Sequence, residues 1–222
     1  MLHALIFDFD GLILDTETPK YQAWQEVFAA YGCDLPMATW AQAVGSNQRF
    51  DPYRYLESLV GRELDHDTLR ATTRARFREL LGVPRPLPGV VAYIEAAQRL
   101  DMRLAIASSS PRTWIDEHLS TLGLHHHFSI FCTIDDVARS KPDPDLYLLA
   151  LERLGVSASQ ALALEDSPNG VRAAQAAGIY SIAVPNPVTA QMDLRHADLV
   201  LPSLAAMSLE EVVGHAQTRR SS

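Results

Sequence analysis

Lysine is almost absent from this chain of 222 residues: its 19 basic side chains are arginines except for Lys20 and Lys141. Cysteine is as scarce, with Cys33 and Cys132 far apart and in no CxxC spacing. That excludes a disulfide framework or a zinc-finger site and leaves two ordinary buried thiols. Positive charge is short overall, because the formal net charge is -8 and no basic block offsets it. Nucleic acid and anionic membrane surfaces are therefore excluded as expected partners. No run approaches the roughly 18 apolar residues of a membrane span, and the opening "MLHALIFDFDG" lacks a basic leader and a small-residue cleavage site. It is expected to be a buried strand of a cytoplasmic protein.

The chain does have core-forming material, with 47% hydrophobic residues, enough for one large domain or a domain with an insert. Short apolar runs at Ala4 to Phe7, Leu104 to Ala107, Ile130 to Thr133, Ala161 to Leu164, Ser181 to Val184 and Leu199 to Leu201 read as buried strands. Helical patterns lie between them, so the expected class is α/β with a Rossmann-like parallel sheet. Thr18-Pro19, Ser110-Pro111, Asp143-Pro144 and Ser167-Pro168 each offer a capping oxygen followed by a proline suited to the first helical position. Gly32, Gly123, Gly155 and Gly178 are placed to close the same helices. Residues 18–82 contain no convincing strand and predict a helical insert, with "LLGVPRPLPG", 80 to 89, returning the chain to the sheet. The expected division is an α/β core over 1–17 and 83–222 and a helical unit over 18–82. The closing "TRRSS" reads as a frayed tail.

Ligands of an open parallel sheet gather beyond the carboxyl ends of its strands. There this sequence places Asp8, Asp10 and Gly11; Ser108, Ser109 and Ser110; Lys141; and Glu165 with Asp166. Clustered carboxylates repel one another unless a cation lies between them, and hard oxygen ligands select Mg2+. Hydroxyls, helix-start N–H groups and a lysine suit an anion such as phosphate. Metal plus phosphate explains both halves. A turn pair for Asp8 and Asp10, and helix capping for Ser110, Asp143 and Glu165, are the plain alternatives. Asp15 and Glu17 are expected to order the exit toward the insert. The tract His125 to His127 is expected to be a surface loop, since adjacent side chains cannot easily face one ion. Trp24, Trp40 and Phe28 are expected in the core of the insert.

With these residues in order, the chain resembles the haloacid dehalogenase-like superfamily of phosphotransferases, in its beta-phosphoglucomutase-like group, over nearly its whole length. The motifs are Asp8-Phe9-Asp10 after the first strand, Ser108 ending the second, "KPDP" at Lys141 and "EDSPNG" with Glu165 and Asp166. The resemblance implies that Asp8 is the nucleophile, forming an aspartyl-phosphate, and that Asp10 is the acid and base. It implies Mg2+ held by Asp8, Asp10 and Asp166, with Glu165 as ligand or supporting partner, and phosphate oxygens bound by Ser108, Ser109 and Lys141. It makes the helical insert a cap, in which Gly45, Ser46, Asn47 and Arg49 are the candidates for reading the substrate.

The expected activity is hydrolysis of a small phosphomonoester such as a sugar or polyol phosphate, by a monomer or weak homodimer. Dehalogenation has no use for Asp10, and a phosphonatase needs a cap lysine that Lys20 does not match. A sugar-phosphate mutase of this group has a histidine where Lys20 stands, a lysine where Val44 precedes the cap glycine and a lysine at the place of Pro111. A non-catalytic phosphometabolite-binding protein would have no use for a general acid.

Overall fold

The computed structural model describes residues 2–41, 44 and 50–220. Its centre is a six-stranded sheet in the order β3-β2-β1-β4-β5-β6, all parallel. The strands are β1 (Ala4–Phe7), β2 (Arg103–Ala107), β3 (Ile130–Cys132), β4 (Ala161–Glu165), β5 (Tyr180–Ala183) and β6 (Leu199–Val200). Within the three central strands small and large residues alternate, and this sorts the two faces. Leu5, Phe7, Leu104, Ile106, Leu162 and Leu164 turn to one side, where they bury against α5 (Val90–Arg99), α6 (Arg112–Thr121) and α9 (Leu209–Arg220). Ala4, Ile6, Ala105, Ala107, Ala161 and Ala163 turn to the other, where α7 (Asp145–Leu154) and α8 (Pro168–Ala176) pack on a mostly alanine surface. Each fully buried Leu or Ile contributes about 2 kcal/mol by leaving water.

Between β1 and α5 the described residues form no strand, and their helices are α1 (Glu17–Ala30), α2 (Met37–Trp40), α3 (Pro52–Val60) and α4 (His66–Leu81). They share a cluster of Tyr21, Trp24, Phe28, Trp40, Leu56 and Leu69, distinct from the two sheet cores, into which Val188 reaches from the loop after β5. Trp24, Trp40 and Phe28 are thus core residues of this layer. Asp51 and Asp65 cap α3 and α4 by accepting from Tyr53 and Arg54 N–H and from Asp67 and Thr68 N–H. The outgoing and returning connections meet where Leu87 N–H donates to the Ile13 carbonyl at 2.8 Å.

Three of the proline caps expected from sequence are not used. Helix α1 starts at Glu17, so Thr18 lies inside it, and its N–H donates to Asp15 Oδ1 at 3.0 Å. Helices α6 and α7 begin one residue after Pro111 and Pro144, and Asp143 instead faces Arg139 at 3.4 Å. Ser167 does cap α8, accepting from Gly170 N–H at 3.2 Å. All four closing glycines take positive φ, 63 to 78°. Helix α9 buries Leu209, Val212 and Ala216 against the sheet core; of the closing "TRRSS", residues 218–220 continue this helix and residues 221 and 222 lie outside the described residues. Both cysteines are free thiols.

Candidate active site

Because β1 and β4 are neighbours, with Phe7 beside Leu164, the residues that follow them arrive together at the carboxyl rim. Asp8 N–H still donates to the Leu164 carbonyl at 2.9 Å, which holds it in the sheet as its side chain enters the site. Lys141, in the loop before α7, points back under β2. Its ammonium donates to Asp8 Oδ1 at 2.5 Å and to the Ala107 carbonyl at 2.8 Å, and lies 2.6 Å from Glu165 Oε1. Asp8, Lys141, Glu165 and Asp166 are all buried, with exposures of 6, 3, 0 and 2%.

Asp8, Glu165 and Asp166 each bring a carboxylate oxygen within 4.8 Å of the others. One ammonium cannot balance three carboxylates at this depth. Burial, only partly offset by Lys141, pushes the Asp8 carboxyl up to about 8, and burial with the nearby Asp8 and Glu165 charges pushes Asp166 well above the usual carboxylate range. Desolvation alone would lower the Lys141 ammonium, but Asp8 and then Glu165 outweigh it and hold it above the ordinary lysine value. Excess negative charge on hard oxygens is what a divalent cation such as Mg2+ relieves, so the donor set fits that ion. Two glycines make room for the cluster. A Cβ at Gly11, where φ is +80°, would overlap Asp166 and Asn186, and a Cβ at Gly170 would overlap the Glu165 carboxylate.

The Asp10 carboxylate does not join the three that converge. Its Oδ1 accepts from Thr16 Oγ1 at 2.8 Å and Trp114 Nε1 at 3.0 Å, and its Oδ2 from Ser110 Oγ at 2.6 Å. Ser110 is thereby corrected from a helix cap to a partner of Asp10. Ser108 is buried at the end of β2, with Oγ accepting from Ser110 N–H at 3.1 Å, and Ser109 Oγ accepts from Ser140 Oγ at 2.6 Å. Gly45, Ser46, Asn47 and Arg49 lie outside the described residues. Lys20, on α1, pairs with Glu17 at 2.7 Å. The three histidines do not face one point: His125 pairs with Asp116 at 2.9 Å, while His127 bonds Gln98 at 2.9 Å with its ring tilted against that of His126.

Sequence reading passed over several members of this network. Asn186 donates to Asp166 Oδ2 at 2.6 Å; it stands three residues beyond β5, where the strand-end rule, applied once more, points to it. Tyr147 reads as part of the apolar stripe of α7, yet its hydroxyl donates to Glu165 Oε1 at 2.6 Å. Thr16 and Trp114 carry no sequence signal, since only the fold brings them to Asp10.

A sequence model of haloacid dehalogenase-like hydrolases matches residues 5–184. The chain is 43% identical to YhcW of Bacillus subtilis over 219 residues, 99% of this chain and 100% of that protein. It is 34% identical to fructose-1-phosphate phosphatase YqaB of Escherichia coli over 185 residues, 82% of this chain and 95% of the other. Among solved structures, CbbY from Rhodobacter sphaeroides in complex with phosphate superposes with a TM-score of 0.71 at 30% identity, covering 92% of this chain and 96% of that one. Among the described residues, no helix is long and apolar enough to cross a membrane.

Proposed function

The chain belongs to the haloacid dehalogenase-like hydrolase family and is a phosphatase within it. From that premise we propose that it hydrolyses a small phosphomonoester, a sugar, polyol or related metabolite phosphate, with Mg2+ and through an aspartyl-phosphate on Asp8. The observation that carries the reading is a division of labour two residues apart. Asp8 is held by Lys141 at 2.5 Å beside Glu165 and Asp166, while the Asp10 carboxylate is held separately by Ser110, Thr16 and Trp114.

We assign the metal to Asp8, Glu165 and Asp166 together with the Asp10 carbonyl. When bound, Mg2+ offsets the carboxylate repulsion and the charge on the phosphoryl oxygens. An Asp8 oxygen forms the new bond to phosphorus as the bond to the leaving oxygen breaks, and Asp10 gives that oxygen its proton. Water then attacks the phosphorus, Asp10 takes a proton from it, and Asp8 is released as carboxylate with inorganic phosphate. Lys141, with hydroxyls from Ser108 and Ser109, binds the equatorial oxygens where charge is stabilised in transfer.

The helices of 18–82 act in this reading as the cap, with residues 45–49 reading the leaving group, and the core is 1–17 with 83–222. The partner is a free phosphorylated metabolite in the cytoplasm, not a nucleic acid or a membrane, and the chain works as a monomer or weak homodimer. Hydrolysis is favoured over mutase chemistry by Pro111, which flanks α6 and offers no charge for a second phosphate. The test is phosphate release from p-nitrophenyl phosphate and from a panel of phosphorylated metabolites with Mg2+, with and without a chelator. Turnover that chelation removes is expected. In Asp8→Asn, retention of more than a few per cent of the rate refutes the nucleophile assignment. Isomerisation of beta-glucose 1-phosphate without phosphate release overturns the hydrolase reading.

A further inference from the structure

Trp114 sits in the first turn of α6, where its ring has both a polar and an aromatic contact. One edge points its Nε1–H at Asp10 Oδ1, 3.0 Å away. The ring lies 3.9 Å from the His118 ring on the next turn and 5.8 Å from Phe77 of α4, so it bridges the sheet core and the helical layer. It also forms part of the wall of a cavity of about 340 Å3 between the two, shared with Lys20, Trp24, Arg74 and Phe77.

We propose that Trp114 is a positioning residue for the general acid, fixing the Asp10 carboxylate in the orientation from which it protonates the leaving oxygen. This rests on the phosphatase reading above. An indole N–H can only donate. Oδ1, facing it, is therefore committed as an acceptor, and Oδ2 is left as the oxygen that carries the proton. Its neighbour Ser110 Oγ, at 2.6 Å, is a hydroxyl that can either donate or accept, so the protonated and ionised forms of Asp10 can both be accommodated without turning the group. In the transfer the Asp8–phosphorus bond forms, the phosphorus–leaving-oxygen bond breaks, and the Oδ2 proton moves to that oxygen. Without the indole, Oδ1 keeps only Thr16 Oγ1 and Oδ2 only Ser110 Oγ, so the carboxylate loses one of the three donors that fix its rotation about the Cβ–Cγ bond. Nothing in that loss touches Asp8, Lys141 or the metal carboxylates.

The test uses Trp114→Phe, which keeps an aromatic ring against Phe77 and His118 and removes the N–H, and compares two substrates of nearly the same shape. Phenolate is a poor leaving group and needs a proton, whereas nitrophenolate leaves readily without one. The ratio of kcat on phenyl phosphate to kcat on p-nitrophenyl phosphate is expected to fall about tenfold in the variant, with the KM ratio unchanged. An unchanged kcat ratio, whatever the absolute rates, overturns the proposal, because a merely structural role slows both substrates alike. If the wild-type chain releases phosphate from neither compound, the phosphatase reading is what has failed. The contact itself is then read by proton NMR. The indole N–H resonance missing from Trp114→Phe is expected to move in Asp10→Asn, and a resonance that stays in place removes Trp114 from Asp10.

Discussion

At the carboxyl ends of β1 and β4 three carboxylates and one ammonium are buried almost completely, whereas the helical layer of α1 to α4 buries aromatic rings and, apart from Glu17 at the start of α1, leaves its charges in contact with water. The two regions meet on the same chain within ten residues of Asp8, yet they spend stability differently. In the layer, Trp24, Phe28, Tyr53 and Tyr55 pack edge to face or tilted, an arrangement that stabilises by burial and shape. At the rim the carboxylates are held in one another's field and the fold bears the cost, which Lys141, Tyr147 and Asn186 offset only in part. Stored repulsion of this kind makes the rim responsive to a cation and to phosphate. The layer lacks it, as the cap role proposed for it requires only a packed core of its own.

The largest expected effect follows from removing the single ammonium of the rim. Lys141→Met keeps most of the apolar stem and deletes the charge that touches both Asp8 and Glu165. Breaking a buried pair leaves its partners uncompensated, so urea unfolding is expected to show a loss of about 3 to 5 kcal/mol in metal-free protein. Phosphate release is expected to fall by a factor of about 1,000 or more, because the proposed mechanism gives the same ammonium the transferring oxygens to stabilise. A variant as stable as the parent breaks the contrast between the two regions, since it means that the rim carries no net electrostatic strain.

Mg2+ and pH give a smaller, graded effect. Without a cation the folded protein keeps a proton on Asp8, whose carboxyl is pushed up to about 8, while the unfolded chain releases it near the ordinary aspartate value of about 4. The folded state then binds more protons than the unfolded state across that window, so metal-free stability falls as pH rises from about 4 to about 8. A cation replaces that proton at a cost that shrinks as pH rises. The rise in thermal midpoint on adding Mg2+ is therefore expected to be larger near pH 9 than near pH 6. Equal rises at the two pH values, measured by calorimetry, rule out proton-linked binding at the rim.

The two regions also differed in how far they could be read from sequence, for a physical reason. Asp8, Asp10, Ser108, Lys141, Glu165 and Asp166 follow strands whose apolar runs are unmistakable, so their place on the rim follows from the rule that ligands gather at strand ends. The alternation of Ala and Leu in "ALALE" matches the two faces the structure separates, although the run reads as uniformly buried. What stayed hidden were contacts made across the fold. Trp114 meets Asp10 from 104 residues away, and Asn186 meets Asp166 only because β5 lies beside β4. Ser110 shows the limit most plainly: next to a proline it has every local mark of a helix cap, and its hydroxyl nevertheless goes to Asp10. Local chemistry offered two partners, and tertiary structure chose the one that a single-sequence rule cannot see.

The smallest effect is expected in the layer, and it is informative for that reason. Arg76 of α4 donates to Glu26 of α1 at 2.7 and 2.9 Å and to Glu79 at 2.8 Å, the best-formed charge cluster between those helices. By distance alone it rivals the Lys141 contacts. Its side chain is 39% exposed, however, and its two carboxylates 51 and 66%, so water and salt already stabilise all three charges when they are apart. The charges are screened over about 8 Å at physiological ionic strength, and holding three long side chains in one geometry costs entropy. Arg76→Ala is therefore expected to leave the urea midpoint at physiological salt unchanged within error and KM unaltered, with a small loss emerging only at low ionic strength. A clear loss at physiological salt means that α1 and α4 depend on this clamp. The layer is then held by charge, and burial, which sets the two sites far apart although their contact distances are similar, is the wrong guide to their strength.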